Sequence, residues 1–473
     1  MDLQNVRLLL MLLPRVPLIA RMTILHLLHL SESSKYLDLR STLTIGVLRS
    51  FLTPTPGKSR SISAVQKLTL RDPGVKGRIW VATYTAPEPV GSNVKDILHR
   101  AVKDLRDPGL GAFEFDMPEL KPVEAEWTGY RKDASADEAP PDVPEQAKYQ
   151  KMMEEVTSPT TILYLHGGAY YLCDPATHRA TSKKLAKITG GRSYSVRYRL
   201  APQAPFPSAL LDALVSYLTL LYPPEGAWHD PVRPENIAMA GDSAGGNLIL
   251  ALLQLVLHLQ RTSQKVLWQG EERDVPVPSC VACNSPWLDI TQSSPSWEGT
   301  TPAPWDYLPK PEQVASSEIE PCSIWPATPE RKHLYVADDL ITHPLASVVV
   351  NSSWKGAPPV YMCTGWEILA LEDKYFAKKL ESEGVTVVFE EYEAMPHCFA
   401  MILDKTANAA RCFEGWGRFI RTCTTGGTVE SSAVEIKAKT RDEKVLAFDK
   451  LSSVKDEDMV ERVQKKGELL AKL

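Results

Sequence analysis

The chain has 473 residues, 44% of them hydrophobic and 23% charged, with a formal net charge of −5. That length fits one large α/β domain with insertions and extensions, or two average domains. The acidic balance (pI ≈ 6.1) and the lack of an RNA-binding or zinc-finger signature argue against a nucleic-acid partner.

The first predicted element, Val6 to Leu30, is strongly apolar, but Arg7, Arg15, Arg21, Pro14 and Pro17 interrupt it. Three arginines are expensive inside hydrocarbon, and a secretory signal carries its charge before its apolar core. At about 100° per residue, Arg7, Arg15, Arg21, His26 and His29 fall within roughly 140° of arc. Two readings stand: a basic amphipathic segment on a membrane surface (endoplasmic reticulum or lipid droplet), or helices packed on the protein's own core. Residues 1–118 are read as an N-terminal helical cap region.

Asp133 to Pro144 is Pro-rich and charged, the pattern of an exposed loop. A helix is predicted over Glu145 to Val156 and a strand over Thr160 to Leu165, ending at His166-Gly167-Gly168. Helix patterns then follow at Arg179 to Thr189, Pro207 to Leu221 and Gly245 to Gln260. Strand patterns alternate with them at Ser193 to Tyr198, Ile237 to Ala240 and Val277 to Cys283. Pro359 to Cys363 reads as a strand, Leu371 to Glu383 as a helix and Val385 to Tyr392 as a strand. Repeated β-then-α units predict a mostly parallel sheet covered on both faces. Reactive groups are then expected at the carboxyl ends of strands. Residues 119–423 are assigned to this domain. Within it, Ser293 to His343 (rich in Pro, Ser and Trp) reads as an insertion suited to covering a site.

From about Thr424 the chain turns charged, and residues 424–473 are read as a flexible tail with a short helix from Met459. It ends Ala471-Lys472-Leu473, similar to the Ser-Lys-Leu peroxisomal address, so a peroxisomal import receptor is an expected partner. The eight cysteines are scattered, which fits buried free thiols in a reducing, intracellular setting. Cys280 and Cys283 form a C-x-x-C without a second ligand pair, and their context reads as a buried strand rather than a metal site. Asn351-Ser352-Ser353 is a glycosylation sequon, relevant only to a secreted chain.

Gly241-Asp242-Ser243-Ala244-Gly245 follows a predicted strand and opens a predicted helix. The five-residue pattern is weak alone; this context is what a nucleophile elbow requires, and it makes Ser243 the candidate nucleophile. The glycines leave room for a sharp turn. Gly167 and Gly168 end an earlier strand, so their N–H groups, with that of Ala244, can form an oxyanion hole. A serine needs a base, and the base an orienting acid. Of the later histidines, His258 lies along the elbow helix, and His333 and His343 lie in or beside the insertion. His397 follows the last strong strand, where the base belongs. Glu367, just after the strand ending near Cys363, is the expected acid. Glu372 and Asp373 are fallbacks, read foremost as a solvated helix face.

His166-Gly167-Gly168-Ala169-Tyr170, Tyr198-Arg199-Leu200-Ala201-Pro202, the elbow, Ser285-Pro286-Trp287-Leu288-Asp289 and Met395-Pro396-His397 occur in the order seen in the hormone-sensitive-lipase-like esterases. The chain resembles that family from about Trp127 to Ile420, and Trp127-Thr128-Gly129-Tyr130 resembles its fungal members. The resemblance implies an α/β-hydrolase fold with a helical cap and a Ser-acid-His triad, without a metal or organic cofactor. It supports Ser243, His397 and the N–H groups of Gly167, Gly168 and Ala244 in the roles given above. Two positions depart from it: Ala169 replaces a third glycine, and Glu367-Ile368-Leu369 stands where Asp-Pro-Leu is usual. The expected function is hydrolysis of a hydrophobic small-molecule ester, by a carboxylesterase or deacetylase of lipid or fungal secondary metabolism. Acyl transfer by the same triad and ligand binding without catalysis, as in the hydrolase-like gibberellin receptors, are the alternatives.

Overall fold

In a computed structural model, which describes residues 12–53, 61–107, 115–314 and 319–472, the alternating strand and helix patterns become a ten-stranded sheet. The strands in chain order are β1 (Ile79–Ala86), β2 (Val123–Tyr130), β3 (Thr161–Leu165), β4 (Arg192–Val196), β5 (Ile237–Asp242), β6 (Val266–Trp268), β7 (Glu271–Arg273), β8 (Cys280–Asn284), β9 (Val360–Gly365), β10 (Val387–Tyr392), β11 (Ser432–Ile436) and β12 (Glu443–Val445). β6 and β7 make a separate hairpin, and the others run β1-β2-β4-β3-β5-β8-β9-β10-β11-β12. Pairs from β4 to β11 are parallel, while β1/β2, β2/β4 and β11/β12 are antiparallel.

Period-2 side-chain alternation explains why the central strands are apolar throughout. Leu163, Leu165 and Met239 face one core, with helices Ser208–Leu221, Ala244–Arg261 and Ala370–Ser382. Ile162, Tyr164, Ala238 and Ala240 face the other, with helices Pro175–Thr189 and Ala407–Thr424. Local signals place the helices. Asp174 and Thr177 close a capping box around Pro175, and Gly190, at φ 72°, ends that helix in the left-handed region. Cys280 and Cys283, three apart on β8, fall into opposite cores and so cannot share one ion.

Two boundaries differ from expectation. Part of the expected N-terminal cap belongs to the hydrolase body, because β1 pairs along its whole length with β2, from Ile79↔Tyr130 to Ala86↔Val123. Helix Val94–Asp104 buries Val94, Ile97, Leu98, Ala101 and Val102 in the same core, against helices Ser208–Leu221 and Ala244–Arg261. The tail is not a loose extension. β11 adds to β10 in parallel, and helix Asp456–Lys472 buries Met459 and Val463 on the body. Charged residues occupy the outward positions of this helix and mask its short apolar inner face. Leu473 lies outside the described residues; Ala471 and Lys472 are exposed at the helix end.

At the other end the expected basic face is split: Arg15 and His26 turn inward, while Arg21 and His29 are exposed. In and beside helix Val16–Leu27, Arg15 donates to Ser50 Oγ (2.8 Å), and buried His26 meets Thr42 Oγ1 (3.1 Å). These polar groups face helix Leu39–Leu52, whereas Leu13, Val16, Ile24, Leu27 and Leu28 face outward. Arg7 lies outside the described residues. Among the described residues no helix is long and apolar enough to cross a membrane. The sequon asparagine is buried, and its Nδ2 donates to Pro344 O and Val348 O.

Candidate active site

β5 ends at Asp242, and helix Ala244–Arg261 begins one residue later. Ser243 between them has φ 51° and ψ −122°, a strained turn at the carboxyl end of this central strand. Close packing allows only glycine two residues to either side of it. A Cβ on Gly245 would lie 2.0 Å from Leu165 O, and one on Gly241 would lie 2.6 Å from Gly245 O. The Ser243 backbone is held from both sides: its N–H donates to Asn284 O (3.0 Å), and its carbonyl accepts from Trp287 N–H (3.0 Å). Its side chain is half-buried and reachable.

His397 lies on the loop after β10. Its Nε2 is 2.9 Å from Ser243 Oγ, and its Nδ1 is 2.5 Å from Glu367 Oε2. Glu367 follows β9, and its other oxygen accepts from Thr364 Oγ1 (2.7 Å) and Gly365 N–H (3.3 Å). Gly365 is small for a reason: a Cβ there would lie 2.1 Å from Met395 O, on the loop that carries His397. Burial opposes charge on both partners, yet the pairing wins. The Glu367 carboxyl is held below its ordinary value, mainly by His397, and the His397 imidazole is held above its own, mainly by Glu367.

The fallback acids do not reach His397. Glu372 and Asp373 are fully buried rather than solvated, because helix Ala370–Ser382 turns them inward. Glu372 Oε1 accepts from Leu288 N–H (2.8 Å) and Asp289 N–H (3.3 Å). Burial and neighbouring carboxylates push the pKa of both well up. The remaining histidines are engaged elsewhere. His343 Nε2 lies 2.8 Å from Val102 O, and His258 pairs with Asp104. His166 Nδ1 lies 2.7 Å from Gly167 O, within its own loop, and burial lowers its pKa to about 3.

Gly167 and Gly168 stand beside the elbow. A Cβ on Gly167 would lie 3.1 Å from Ser243 Cβ, and Gly168 has φ 111°. Among the described residues no acceptor takes the N–H of Gly167, Gly168 or Ala244. Under this loop, Asp242 accepts from Tyr164 OH (2.6 Å) and faces His178 Nε2 (3.4 Å). Burial works against its charge, but His178 and the Tyr164 hydroxyl hold its pKa down. Among the described residues no group of three or more His, Cys, Asp or Glu side chains is placed to hold a metal ion. A cavity of about 700 Å³ lies under helix Asp456–Lys472, lined by residues such as Arg106, His343 and Asp456, away from this chemistry.

Reading the sequence missed Asp306. It is fully buried in the insertion, and its side chain accepts from His397 N–H (3.3 Å) and Ile368 N–H (2.9 Å). The available signal was an acidic residue inside the aromatic run Trp305-Asp306-Tyr307.

A strained serine at a strand-to-helix turn, with histidine and carboxylate from later strands of a mostly parallel sheet, defines an α/β hydrolase. The comparisons agree: the family model for the alpha/beta hydrolase fold matches residues 162–401, and the chain belongs to that family. It is 30% identical to an acetyl-hydrolase of Streptomyces hygroscopicus over 56% of this chain and 77% of that protein. It is 29% identical to an esterase of Acinetobacter venetianus over 53% of this chain and 71% of that protein. Among solved structures, an esterase from the bacterial hormone-sensitive lipase family superposes with a TM-score of 0.52 at 21% identity, covering 82% of this chain and 99% of that one. That likeness speaks for the fold alone.

Proposed function

We propose that this chain is a serine ester hydrolase of the carboxylesterase or deacetylase type, acting on a hydrophobic small-molecule ester. The observation that carries the reading is the continuous relay Ser243 Oγ–His397 Nε2 (2.9 Å) and His397 Nδ1–Glu367 Oε2 (2.5 Å). The relatives named acetyl-hydrolase and esterase support the bond type. In this reading His397 takes the Ser243 proton as Oγ attacks the ester carbonyl, and Glu367 stabilises the imidazolium. The N–H groups of Gly167, Gly168 and Ala244 receive the developing oxyanion. His397 then protonates the leaving alkoxide, and water attacks the acyl enzyme by the reverse proton path. The presence of the base beside the serine favours catalysis over silent ligand binding. Covalent labelling by a fluorophosphonate, with turnover of p-nitrophenyl acetate, tests the reading; a chain that neither labels nor turns over overturns it.

His397 must be neutral to act as base. Its pKa is raised, so kcat/KM is expected to rise with pH through a midpoint above the ordinary 6.5. A pH–rate profile checks this, and a midpoint below 6.5 contradicts it.

The outward apolar face of helix Val16–Leu27 is the proposed contact with an anionic lipid surface, since no acidic residue occurs from Leu3 to Ser31. Flotation with liposomes containing an anionic lipid is expected for the full chain and is expected to fall on deletion of residues 1–30. Equal flotation of the two removes the proposal.

A further inference from the structure

Asp306 is a second buried carboxylate close to the Ser243–His397–Glu367 relay. Its Oδ1 accepts from Tyr307 N–H (2.7 Å), and from Leu308 and His397 N–H (both 3.3 Å). Its Oδ2 accepts from Ile368 N–H (2.9 Å). One side chain therefore joins three segments: the insertion, the residue after the acid Glu367, and the base itself. All four partners donate, which is the pattern of a carboxylate, although burial and nearby Glu367 push its pKa up.

The same residue is gripped from the N-terminal hairpin, formed by helices Val16–Leu27 and Leu39–Leu52 and the turn between them. Arg49, on helix Leu39–Leu52, donates from Nε to Asp306 O (2.9 Å) and from Nη2 to Ala303 O (2.7 Å) and Asp306 O. Three aromatic rings reinforce the junction. Tyr36 of the hairpin lies 5.0 Å from Trp305 and 5.8 Å from Trp366, the residue before Glu367.

The geometry points to Asp306 as a positioning residue that sets the acid and base loops against each other, with Arg49 coupling the N-terminal hairpin to that setting. The inference rests on the serine-hydrolase reading above. A carboxylate bonded to both loops fixes their separation. A misplacement of the base by about 1 Å can cost about 100-fold in rate. The groups facing His397 are Glu367, Asp306, Asp242, Tyr307, Cys398 and Ser243. Of these Glu367, Asp306 and Asp242 raise its pKa, so neutralising Asp306 removes one support for the imidazolium.

The test is steady-state hydrolysis of p-nitrophenyl acetate by the full chain against Asp306→Asn and Arg49→Met, with Tm measured for each. Asp306→Asn keeps the shape but presents an amide N–H₂ where an acceptor is needed. It is expected to lower kcat by about 10- to 100-fold with KM little changed, and to move the rising limb of kcat/KM to lower pH. Arg49→Met is expected to lower kcat in the same direction, by about 3- to 10-fold. Wild-type kcat and an unmoved limb in Asp306→Asn overturn the inference. So does a lowered Tm with kcat per folded molecule and limb unchanged, because a merely structural role gives that result. If Asp306→Asn does not fold, Arg49→Met decides, and an unchanged kcat there overturns the inference. Failure of the underlying reading is distinguishable, since it appears as hydrolysis that survives loss of Ser243.

Discussion

Ser243→Ala is expected to lower kcat for ester hydrolysis by about 10⁴- to 10⁶-fold while the fold is retained. The loss follows from chemistry rather than packing. The hydroxyl is half-exposed and 2.9 Å from His397, and alanine removes only that oxygen. Alanine meets the same φ of 51° that serine already tolerates, so the turn gains no new strain. The N–H groups of Gly167, Gly168 and Ala244 remain, so a residual rate of about 10³–10⁴ over water is expected to persist. Turnover and fluorophosphonate labelling, with circular dichroism as the folding control, check the outcome. Undiminished hydrolysis by a folded Ser243→Ala chain would place the chemistry elsewhere.

The second large effect is expected at Glu367. Glu367→Gln keeps the shape and loses the charge that supports the imidazolium. The cost is expected to be about 10³- to 10⁴-fold in kcat, with the rising pH limb displaced to lower pH. The sign follows from the pair. Glu367 is the main support that raises the His397 pKa, so without its charge the imidazole gives up its proton earlier. Glu367→Asp tests reach. The glutamate is held at one oxygen by Thr364 and Gly365 while the other meets His397, so a side chain one methylene shorter cannot keep both contacts. Its kcat is expected between those of wild type and Glu367→Gln. If Glu367→Gln keeps wild-type kcat and pH profile, Glu367 is not the orienting acid.

Most of the sheet was legible because its strands are apolar on both faces and its turns are written in glycine. β3, β5 and β9 fall within two residues of their expected ends, and the elbow sits where the strand and helix patterns meet. What was not legible had one common physical origin: burial of polar sequence by tertiary contact. Glu372 and Asp373 read as a solvated face because Lys374, Lys378 and Lys379 follow them in helix Ala370–Ser382, and only its packing turns these two inward. Ser432–Ile436 reads as tail because a five-residue strand with one glutamate has little periodic signal until β10 supplies its hydrogen bonds. Asp306 was hidden because its partners are backbone N–H groups of distant loops, which no side-chain pattern announces.

The last two strands also bear on where the chain can be cut. If it is trimmed at the end of helix Ala407–Thr424, where charged sequence begins, β11 and β12 are lost and the long edge of β10 is left bare. An uncovered strand edge, with buried Val387 and Phe389 beside it, invites pairing with another copy. The segment that looks most dispensable in an expression design is the one that keeps the sheet from becoming a template for aggregation.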